Sequence, residues 1–403
     1  MPNLAAAQDN QWMAQALALA HAAGTLPAPN PAVGCLLVSP EGAVIGRGHT
    51  QAVGGPHAER VALADALTRG HTTQGATAYV TLEPCSHQGR TGPCCEALIA
   101  AGVRRVVAAM VDPNPLVAGA GLARLRAAGI TVESGLGAVE AAQINLGFFS
   151  RMLRKTPWVR MKIAASLDGK TALDNGLSQW ITGPDARADG HAWRARADVV
   201  LTGIGTVLED DPSLDVRLSP TLRQPSLVVI DSRLQLPLTA RLLLPKRDLL
   251  VFYAVDGAAQ RHKKAVLEKL GATVVCLPGS GSHGGERSGE HSGEHSDKVD
   301  LAAVMHALAR QEVNEVHVEA GYKLNGSLWR TGLVDELLVY LAPQWIGPGR
   351  GMAELNPLNQ LDQAKRLEFV STDMVGPDLR IVARPIGRSG FVDTALGAAQ
   401  HQT

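Results

Sequence analysis

Aromatic residues are scarce in this chain, at 4% of 403 positions, and neither sign of charge is in excess. Lys and Arg together number 38, as do Asp and Glu, so no net field gathers polyanions or holds the chain to an anionic membrane surface. A nucleic-acid binder is expected to carry a basic excess and aromatic stacking platforms; the sequence offers neither. No run of about 18 apolar residues occurs that would make a membrane-spanning helix. The opening stretch MPNLAAAQDNQWMAQALALAHAAG lacks a basic leader and a long apolar core. It reads as an amphipathic helix, capped by Asp9 and closed by Gly24, rather than a signal peptide. Cysteines number only five, an odd count that argues against a secreted disulfide framework. A cytoplasmic protein is expected.

What is present describes a two-part α/β protein. Hydrophobic residues make up 45% and charged residues 19%, an ordinary balance for a soluble globular enzyme. A length of 403 residues exceeds one core and predicts two domains. After the first helix, two apolar runs flank Pro40-Glu41-Gly42 and read as a hairpin. HAERVALADALTRG carries Ala and Leu at helical spacing up to Gly70, GATAYVTLEP is a strand, and GPCCEALIAAG is a helix ending at Gly102. VRRVVAAMVDP, GAGLARLRAAG and ITVESG continue as strand, helix and short strand. This alternation predicts a layered α/β sandwich over residues 1–150. A basic, proline-containing link at 151–157 leads to a second α/β region at 158–386, with strands at ADVVLTG, QPSLVVIDS, DLLVFYA, ATVVCLP and NEVHVEAG. Within it GSGSHGGERSGEHSGEHSDK, residues 279–298, repeats Ser-Gly-Glu-His with almost nothing to bury. It reads as a mobile surface insertion, with weak metal binding by His291 and His295 as the alternative. The tail at 387–403 is expected to fray.

Three of the five cysteines, Cys85, Cys94 and Cys95, crowd into eleven positions just after a predicted strand, and His57 and Glu59 stand upstream at the start of a predicted helix. One imidazole and two thiolates suit zinc with a fourth position open for water, whose pKa falls from 15.7 to roughly 7 on the metal. Glu59, two residues from His57, lies beside such an ion without ligating it and can carry a proton from attacking water to a departing amine. Zinc deaminases place His-x-Glu before Pro-Cys-x-x-Cys. Here HAE and EPC fit, but eight residues separate Cys85 from Cys94, so SHQGRTGP must bulge, with Gly89 and Gly92 permitting the turn. Cys94 opens a helix, where the dipole favours thiolate. The plainer readings are buried free cysteines, a structural histidine, and a zinc site without catalysis. Cys95, Cys35 and Cys276 read as packing residues, and His87 as a substrate-side or solvent residue rather than a competing ligand.

APNPAVGCLLV, HAE, TLEPCSHQGRTGPCCEALIAAGVRRV and DPNPLVAGAGLARLRAAGI together resemble the deaminase half of the bifunctional riboflavin-biosynthesis deaminase/reductase family. The resemblance implies a cytidine-deaminase-like α/β/α sandwich. It also implies removal of an amine from a phosphoribosylated diaminopyrimidinone, followed by reduction of the ribose to ribitol. By it His57, Cys85 and Cys94 match the zinc ligands, Glu59 the proton carrier, and Asn30 the residue that contacts the pyrimidine, where an amide offers both donor and acceptor. Two departures stand out. Members often read Gly-x-His where the chain has Gly48-His49-Thr50, and often carry a second His where it has Val61. Neither position matches a zinc ligand; both bear on substrate contacts around Thr50.

The second half carries weaker signals of its own. Gly203 and Gly205 follow a strand, but Leu208 occupies the third glycine's place in a dinucleotide fingerprint, and a tight turn explains the pair equally. VHVEAGYKLNGSL reads as a strand, a turn at Ala320-Gly321, and a helix from near Lys323 whose first N–H groups can hold a phosphate. Ser232 and Arg233 close another strand and can receive the 2′-phosphate that separates NADPH from NADH; a solvated loop is the alternative. Lys162 sits in an otherwise apolar strand, WVRMKIAA, where a buried ammonium needs a partner or a task. It is expected to face ribose and cofactor and to polarise the aldehyde as hydride arrives.

MKIAASLDGKTA, SQWIT, GIGTVLEDDPSLDVR, VEAGYKLNGSL and GLVDELLVYLAP resemble the same family's reductase half, with its dihydrofolate-reductase-like α/β fold. Matched by position, Ala164, Trp180, Thr206, Asp210, Ser232 and the turn Gly321, Tyr322, Lys323, Leu324, Asn325, Gly326, Ser327 fall on NADPH contacts. Ser178, Arg194, Leu214, Arg217 and Glu319 fall on substrate contacts, with Arg194 and Arg217 as a fork for the sugar phosphate. Asp210 is either a proton donor or a ribose-binding carboxylate. One zinc per chain, NADPH, a small phosphoribosylated pyrimidine and a homo-oligomer are therefore expected, with no nucleic acid and no membrane. Two alternatives stand against this reading: a nucleic-acid base deaminase with an accessory domain, and a deaminase whose second half is a noncatalytic nucleotide-binding module.

Overall fold

A Cβ at Gly34 would lie 1.9 Å from the Ala16 carbonyl oxygen, so the first helix rides directly on the first strand. The computed structural model describes residues 4–87, 92–114, 117–219, 221, 223–280 and 295–392. The chain divides into two units: residues up to Lys155 together with those after Arg388, and Thr156–Arg388.

The first unit runs α1 (Leu4–Ala23), β1 (Gly34–Val38), β2 (Val44–His49), α2 (Ala58–Thr68), β3 (Thr77–Val80), α3 (Cys94–Ala100), β4 (Arg105–Ala108), α4 (Ala120–Ala127), β5 (Thr131–Ser134), α5 (Ala138–Ile144) and α6 (Leu146–Arg154). Its sheet has the order β2-β1-β3-β4-β5, with β1 antiparallel to both neighbours and β3, β4 and β5 parallel. The hairpin turns at Gly42, whose φ of 85° suits glycine. Asp9 does not cap the first helix, because α1 already begins at Leu4. Its carboxylate instead accepts the Tyr79 hydroxyl at 2.5 Å and two Arg105 N–H groups at 2.8 Å, pinning α1 to β3 and β4. The basic stretch expected as a link is helical through Arg154, so only 155–157 separates α6 from the next strand.

The second unit runs β6 (Trp158–Ser166), β7 (Lys170–Leu173), α7 (Pro184–Arg196), β8 (Val199–Gly203), α8 (Ile204–Asp210), β9 (Ser226–Ile230), β10 (Leu249–Tyr253), α9 (Ala258–Lys269), β11 (Ala272–Cys276), β12 (Pro278–Ser280), β13 (His295–Val299), α10 (Leu301–Arg310), β14 (Glu315–Val318), α11 (Tyr322–Arg330), β15 (Glu336–Ala342), β16 (Gly349–Gly351), β17 (Leu367–Val375) and β18 (Asp378–Pro385). Nine strands form one sheet, β11-β10-β9-β8-β14-β6-β15-β18-β17, parallel except at β18 and β17. The chain moves outward from β8 to β11, then returns through β14 to lie between β8 and β6. The chain therefore leaves β8 and β14 in opposite directions at their carboxyl ends, the usual place for a ligand in such sheets.

Strand β6 alternates. Val159, Met161, Ile163 and Ala165 enter one core, which puts Arg160, Lys162 and Ala164 on the opposite face. Lys162 is thus not a stray charge in an apolar strand: its neighbour on that face, Arg160, is buried in an ion-pair network with Glu336 and Glu315. The predicted insertion has a paired base, β12 antiparallel to β13. Residues 281–294, with His291, lie outside the described residues, as does the side chain of His295. Among the described residues no helix is long and apolar enough to cross a membrane.

Candidate active sites

Small residues seat the first site. Ala58, Ala62 and Ala66 of α2 face Gly46 and Gly48 of β2; a Cβ at either glycine would come 2.3 Å from a helix carbonyl. This close approach sets the start of α2, where His57 is the N-cap and Glu59 is buried. Cys85 follows the end of β3, and Cys94 is the first residue of α3. The His57 Nδ1 lies 3.6 Å from the Cys85 Sγ and 3.4 Å from the Cys94 Sγ, and all three donor atoms lie within 4.8 Å of one another. Tetrahedral zinc with ordinary Zn–N and Zn–S bonds would separate N from S by about 3.6 Å, so the triangle has the dimensions of a zinc ligand set.

The electrostatics agree. The Cys85 thiol is pulled down to about 4 by hydrogen bonding with Cys94 and His57, and its sulfur also accepts the Cys94 N–H at 3.4 Å. The Cys94 thiol is pushed up, because the adjacent Cys85 takes the negative charge first and burial opposes a second. Two neighbouring thiols thus oppose each other's ionisation, a conflict that a divalent cation held by both would relieve. Burial, with the charge of Cys85, raises the Glu59 carboxyl to about 7. A carboxyl near that value can both take and give a proton at neutral pH.

The wide spacer is tied back: Arg60 Nε and Nη2 donate to the Gly92 carbonyl at 3.2 and 3.0 Å. Gly89 lies among residues 88–91, outside the described residues. His87 is exposed and stands outside the ligand triangle. Cys95 and Cys35 are buried, while Cys276 is half-buried at the margin of a core cluster. Asn30 is exposed on the loop entering β1, at the sheet end that also carries Cys85, since Cys35 pairs with Val80. Thr50 is buried and structural: its hydroxyl accepts the Val33 N–H at 3.1 Å. Val61 packs where a Cβ on Gly48 would meet it.

In the second unit, neighbouring parallel strands β8 and β14 each end in a glycine turn that opens a helix. The turns touch: a Cβ at Gly203 would meet Leu324 at 3.0 Å, and one at Gly321 would lie 3.7 Å from the Thr206 hydroxyl. Thr206, Gly321, Tyr322 and Lys323 therefore gather beyond the carboxyl ends of β8 and β14. Helix α11 starts at Tyr322, one residue before the expected position. Asn325 and Gly326 point elsewhere: Asn325 donates to the Met352 carbonyl at 3.1 Å, and a Cβ at Gly326 would strike the Glu354 backbone. Both are buried within the helix, whereas Ser327 is half-buried and donates to the Lys323 carbonyl at 3.1 Å. The Ser232 hydroxyl accepts the Val299 N–H at 3.3 Å, and Arg233 is exposed. Ala164 is half-buried, Asp210 is exposed at the end of α8, and Trp180 is exposed beneath the Arg187 guanidinium at 4.7 Å.

Lys162 stands beside the continuation of β14, because Met161 pairs with Val318. Burial lowers its ammonium pKa, and Glu319 works against that shift. Arg194 and Arg217 both meet Asp215, the first donating to its carbonyl and the second to its carboxylate. Arg194 is bound on both prongs by Glu319, and Arg217 turns to Asp215 at 2.8 Å. Ser178 is half-buried, and Leu214 is buried with a φ of 51°. Sequence reasoning did not single out Arg60, which ties back the spacer, or the buried Glu83 and His317. Of these only Glu83 carried a signal, its place directly before Pro84-Cys85.

Residues 6–110 match the cytidine and deoxycytidylate deaminase zinc-binding region, and residues 157–381 match the RibD C-terminal domain. The class is thus a deaminase joined to a reductase in one chain. The chain is 43% identical over 385 residues to the riboflavin biosynthesis protein RibD of Escherichia coli, covering 92% of this chain and 98% of that one. The solved RibD of Acinetobacter baumannii superposes with a TM-score of 0.81 at 38% identity, covering 94% of this chain and 99% of its own. A Thermotoga maritima protein described as a diaminohydroxyphosphoribosylaminopyrimidine deaminase/5-amino-6-(5-phosphoribosylamino)uracil reductase superposes with a TM-score of 0.80 at 28% identity, covering 94% and 99%. The chain belongs to the RibD family and is a bifunctional deaminase/reductase of riboflavin biosynthesis. Neither a nucleic-acid base deaminase nor a noncatalytic second half fits these matches.

Proposed function

We propose that the first unit removes the exocyclic amine of 2,5-diamino-6-(5-phosphoribosylamino)pyrimidin-4(3H)-one, and that the second reduces the ribosyl group of the resulting uracil to ribityl with NADPH. The observation that carries the first half is the His57-Cys85-Cys94 triangle with Glu59 buried beside it. One zinc ion per chain, held by those three residues, would supply the Lewis acidity that makes water nucleophilic at neutral pH. Glu59 collects the proton of the attacking water and delivers it to the departing amine; its raised pKa suits both transfers. Asn30, at the same end of the sheet, offers an amide to the pyrimidine edge.

NADPH beyond the carboxyl ends of β8 and β14 would supply hydride to C1 of the opened ribose. Thr206 and the Gly321–Leu324 turn would meet it there, with Ala164, Trp180, Asp210 and Ser232 as further contacts. Lys162 holds positive charge where the carbonyl oxygen becomes negative, and Glu319 opposes the loss of its proton which burial favours. Ser178, Leu214 and Arg217 are assigned to substrate, with Arg194 orienting Glu319. A cytoplasmic homo-oligomer is the expected form.

A coupled assay on the full chain tests both halves. Glu59→Gln should stop ammonia release, retain zinc by elemental analysis, and still consume NADPH when given the deaminated intermediate. Lys162→Met should release ammonia yet leave NADPH absorbance constant. Parental reductase rates in Lys162→Met would remove that residue's role, and active parent protein free of zinc would remove the deaminase mechanism.

A further inference from the structure

Glu83 is buried, two residues before the ligand Cys85, and its carboxylate collects four backbone N–H groups from one distant segment. Oε2 accepts Asp112 N–H at 3.1 Å and Gly119 N–H at 2.8 Å; Oε1 accepts Gly121 N–H at 2.8 Å and Leu122 N–H at 3.2 Å. Three of these donors belong to the start of α4, whose own N-cap, Gly119, has no side chain to offer. A helix leaves its first N–H groups unpaired, and a carboxylate there gains from both the bonds and the dipole. Glu83 therefore caps α4 from another part of the chain. Contact is close: a Cβ at Gly121 would lie 1.9 Å from the Pro84 carbonyl oxygen and 3.1 Å from Glu83 Oε1. The next residue, Cys85, is gripped from the other side, its carbonyl accepting Cys95 N–H at 3.2 Å and its sulfur accepting Cys94 N–H at 3.4 Å.

We propose that Glu83 is a positioning residue of the deaminase site, whose four-fold anchorage to the Asp112–Leu122 segment holds Pro84 and Cys85 at a fixed place relative to His57 and Cys94. Only a carboxylate serves. It presents acceptors on both oxygens, whereas an amide would turn two donors toward two donors. Only Pro84 separates Glu83 from Cys85, so a displacement of α4 is transmitted to the Cys85 sulfur with little chain to absorb it. Partners behind metal ligands commonly affect metal affinity or activity by about 10–100-fold. The inference rests on the zinc reading of the triangle.

The test uses the full chain, with reductase activity as the internal check of folding. Zinc retention is measured against a competing chelator, and cobalt(II) substituted for zinc is read by its ligand-field and thiolate charge-transfer bands. Glu83→Gln should weaken metal retention by about 10–100-fold, shift the cobalt bands and lower deaminase kcat, with the reductase rate unchanged. Glu83→Asp keeps both acceptors at shorter reach and should recover part of each loss. Glu83→Gln protein with parental metal retention and parental cobalt bands would overturn the proposal, leaving Glu83 as a helix cap alone. Should Glu83→Gln fail to accumulate, parental cobalt bands in Glu83→Asp together with an unchanged deaminase rate would overturn it equally. A parent chain that binds neither zinc nor cobalt would instead defeat the zinc reading on which the inference stands.

Discussion

Arg194 and Glu319 meet as a two-pronged ion pair, Nε 2.6 Å from Oε1 and Nη2 2.9 Å from Oε2, with both side chains nearly closed to solvent. Burial alone would raise the Glu319 pKa; the charge and hydrogen bonds of Arg194, helped by Lys162, drive it well below the usual carboxylate range. An anionic Glu319 is the counter-charge that opposes the loss of the Lys162 proton which burial favours.

Glu319→Gln should therefore uncover two buried cations. Breaking one side of a buried pair costs about 3–5 kcal/mol. Because the folded carboxyl titrates below the unfolded value of about 4.3, its contribution is present above that pH and fades as pH falls through the lower, folded value. Urea unfolding should show the largest gap between parent and variant near pH 7 and a shrinking gap below about pH 4. Equal midpoints at pH 7 would contradict the assignment. Reductase activity should fall with the Lys162 charge while ammonia release persists.

His317 makes the opposite prediction with pH. It is fully buried on β14, its Nε2 lies 3.6 Å from Glu319, and burial depresses its pKa to about 3. The folded imidazole stays neutral while the unfolded one takes a proton near 6.5, so stability should drop as pH falls from about 6.5 toward 3, by up to about 1.4 kcal/mol per pH unit. Replacing it with Val, a strand-compatible residue, should flatten that slope. The slope of unfolding free energy against pH for parent and His317→Val checks this, and identical slopes would show that other groups carry the acid sensitivity.

Where chemistry ties residue type to position, the sequence was readable. His57, Glu59, Cys85 and Cys94 lie at element boundaries because ligands must converge, and the strand–helix alternation follows from periodicity alone. The Arg194–Glu319 pair was hidden because its members are 125 positions apart, and an arginine's partner is chosen by the tertiary fold. Asn325 and Gly326 were matched to NADPH contacts by resemblance alone; in the fold they face Met352 and Glu354, a contact that local pattern cannot foretell. Asp9 was misjudged as a cap because the helix already includes Leu4, which leaves Asp9 in its interior, while its real partners, Tyr79 and Arg105, come from β3 and β4.

Gly48 joins the fold to the chemistry. A Cβ there would lie 2.3 Å from the Ala58 carbonyl oxygen, 2.5 Å from the Ala62 nitrogen and 2.8 Å from the Val61 Cβ, and none of these is a flexible side-chain tip. Gly48→Ala must therefore push α2 away from β2, and strain of this kind costs about 1–3 kcal/mol. His57 caps that helix and Glu59 is in its first turn, so both move with it. A shift approaching 1 Å should lower the deaminase rate on the order of 100-fold. The reductase, built on the separate nine-stranded sheet, should keep its rate at temperatures where the variant remains folded. Thermal unfolding and the two half-reactions measured on one preparation decide the matter: a variant with parental deaminase kcat would mean that the seat of α2 on β2 does not govern the deaminase site.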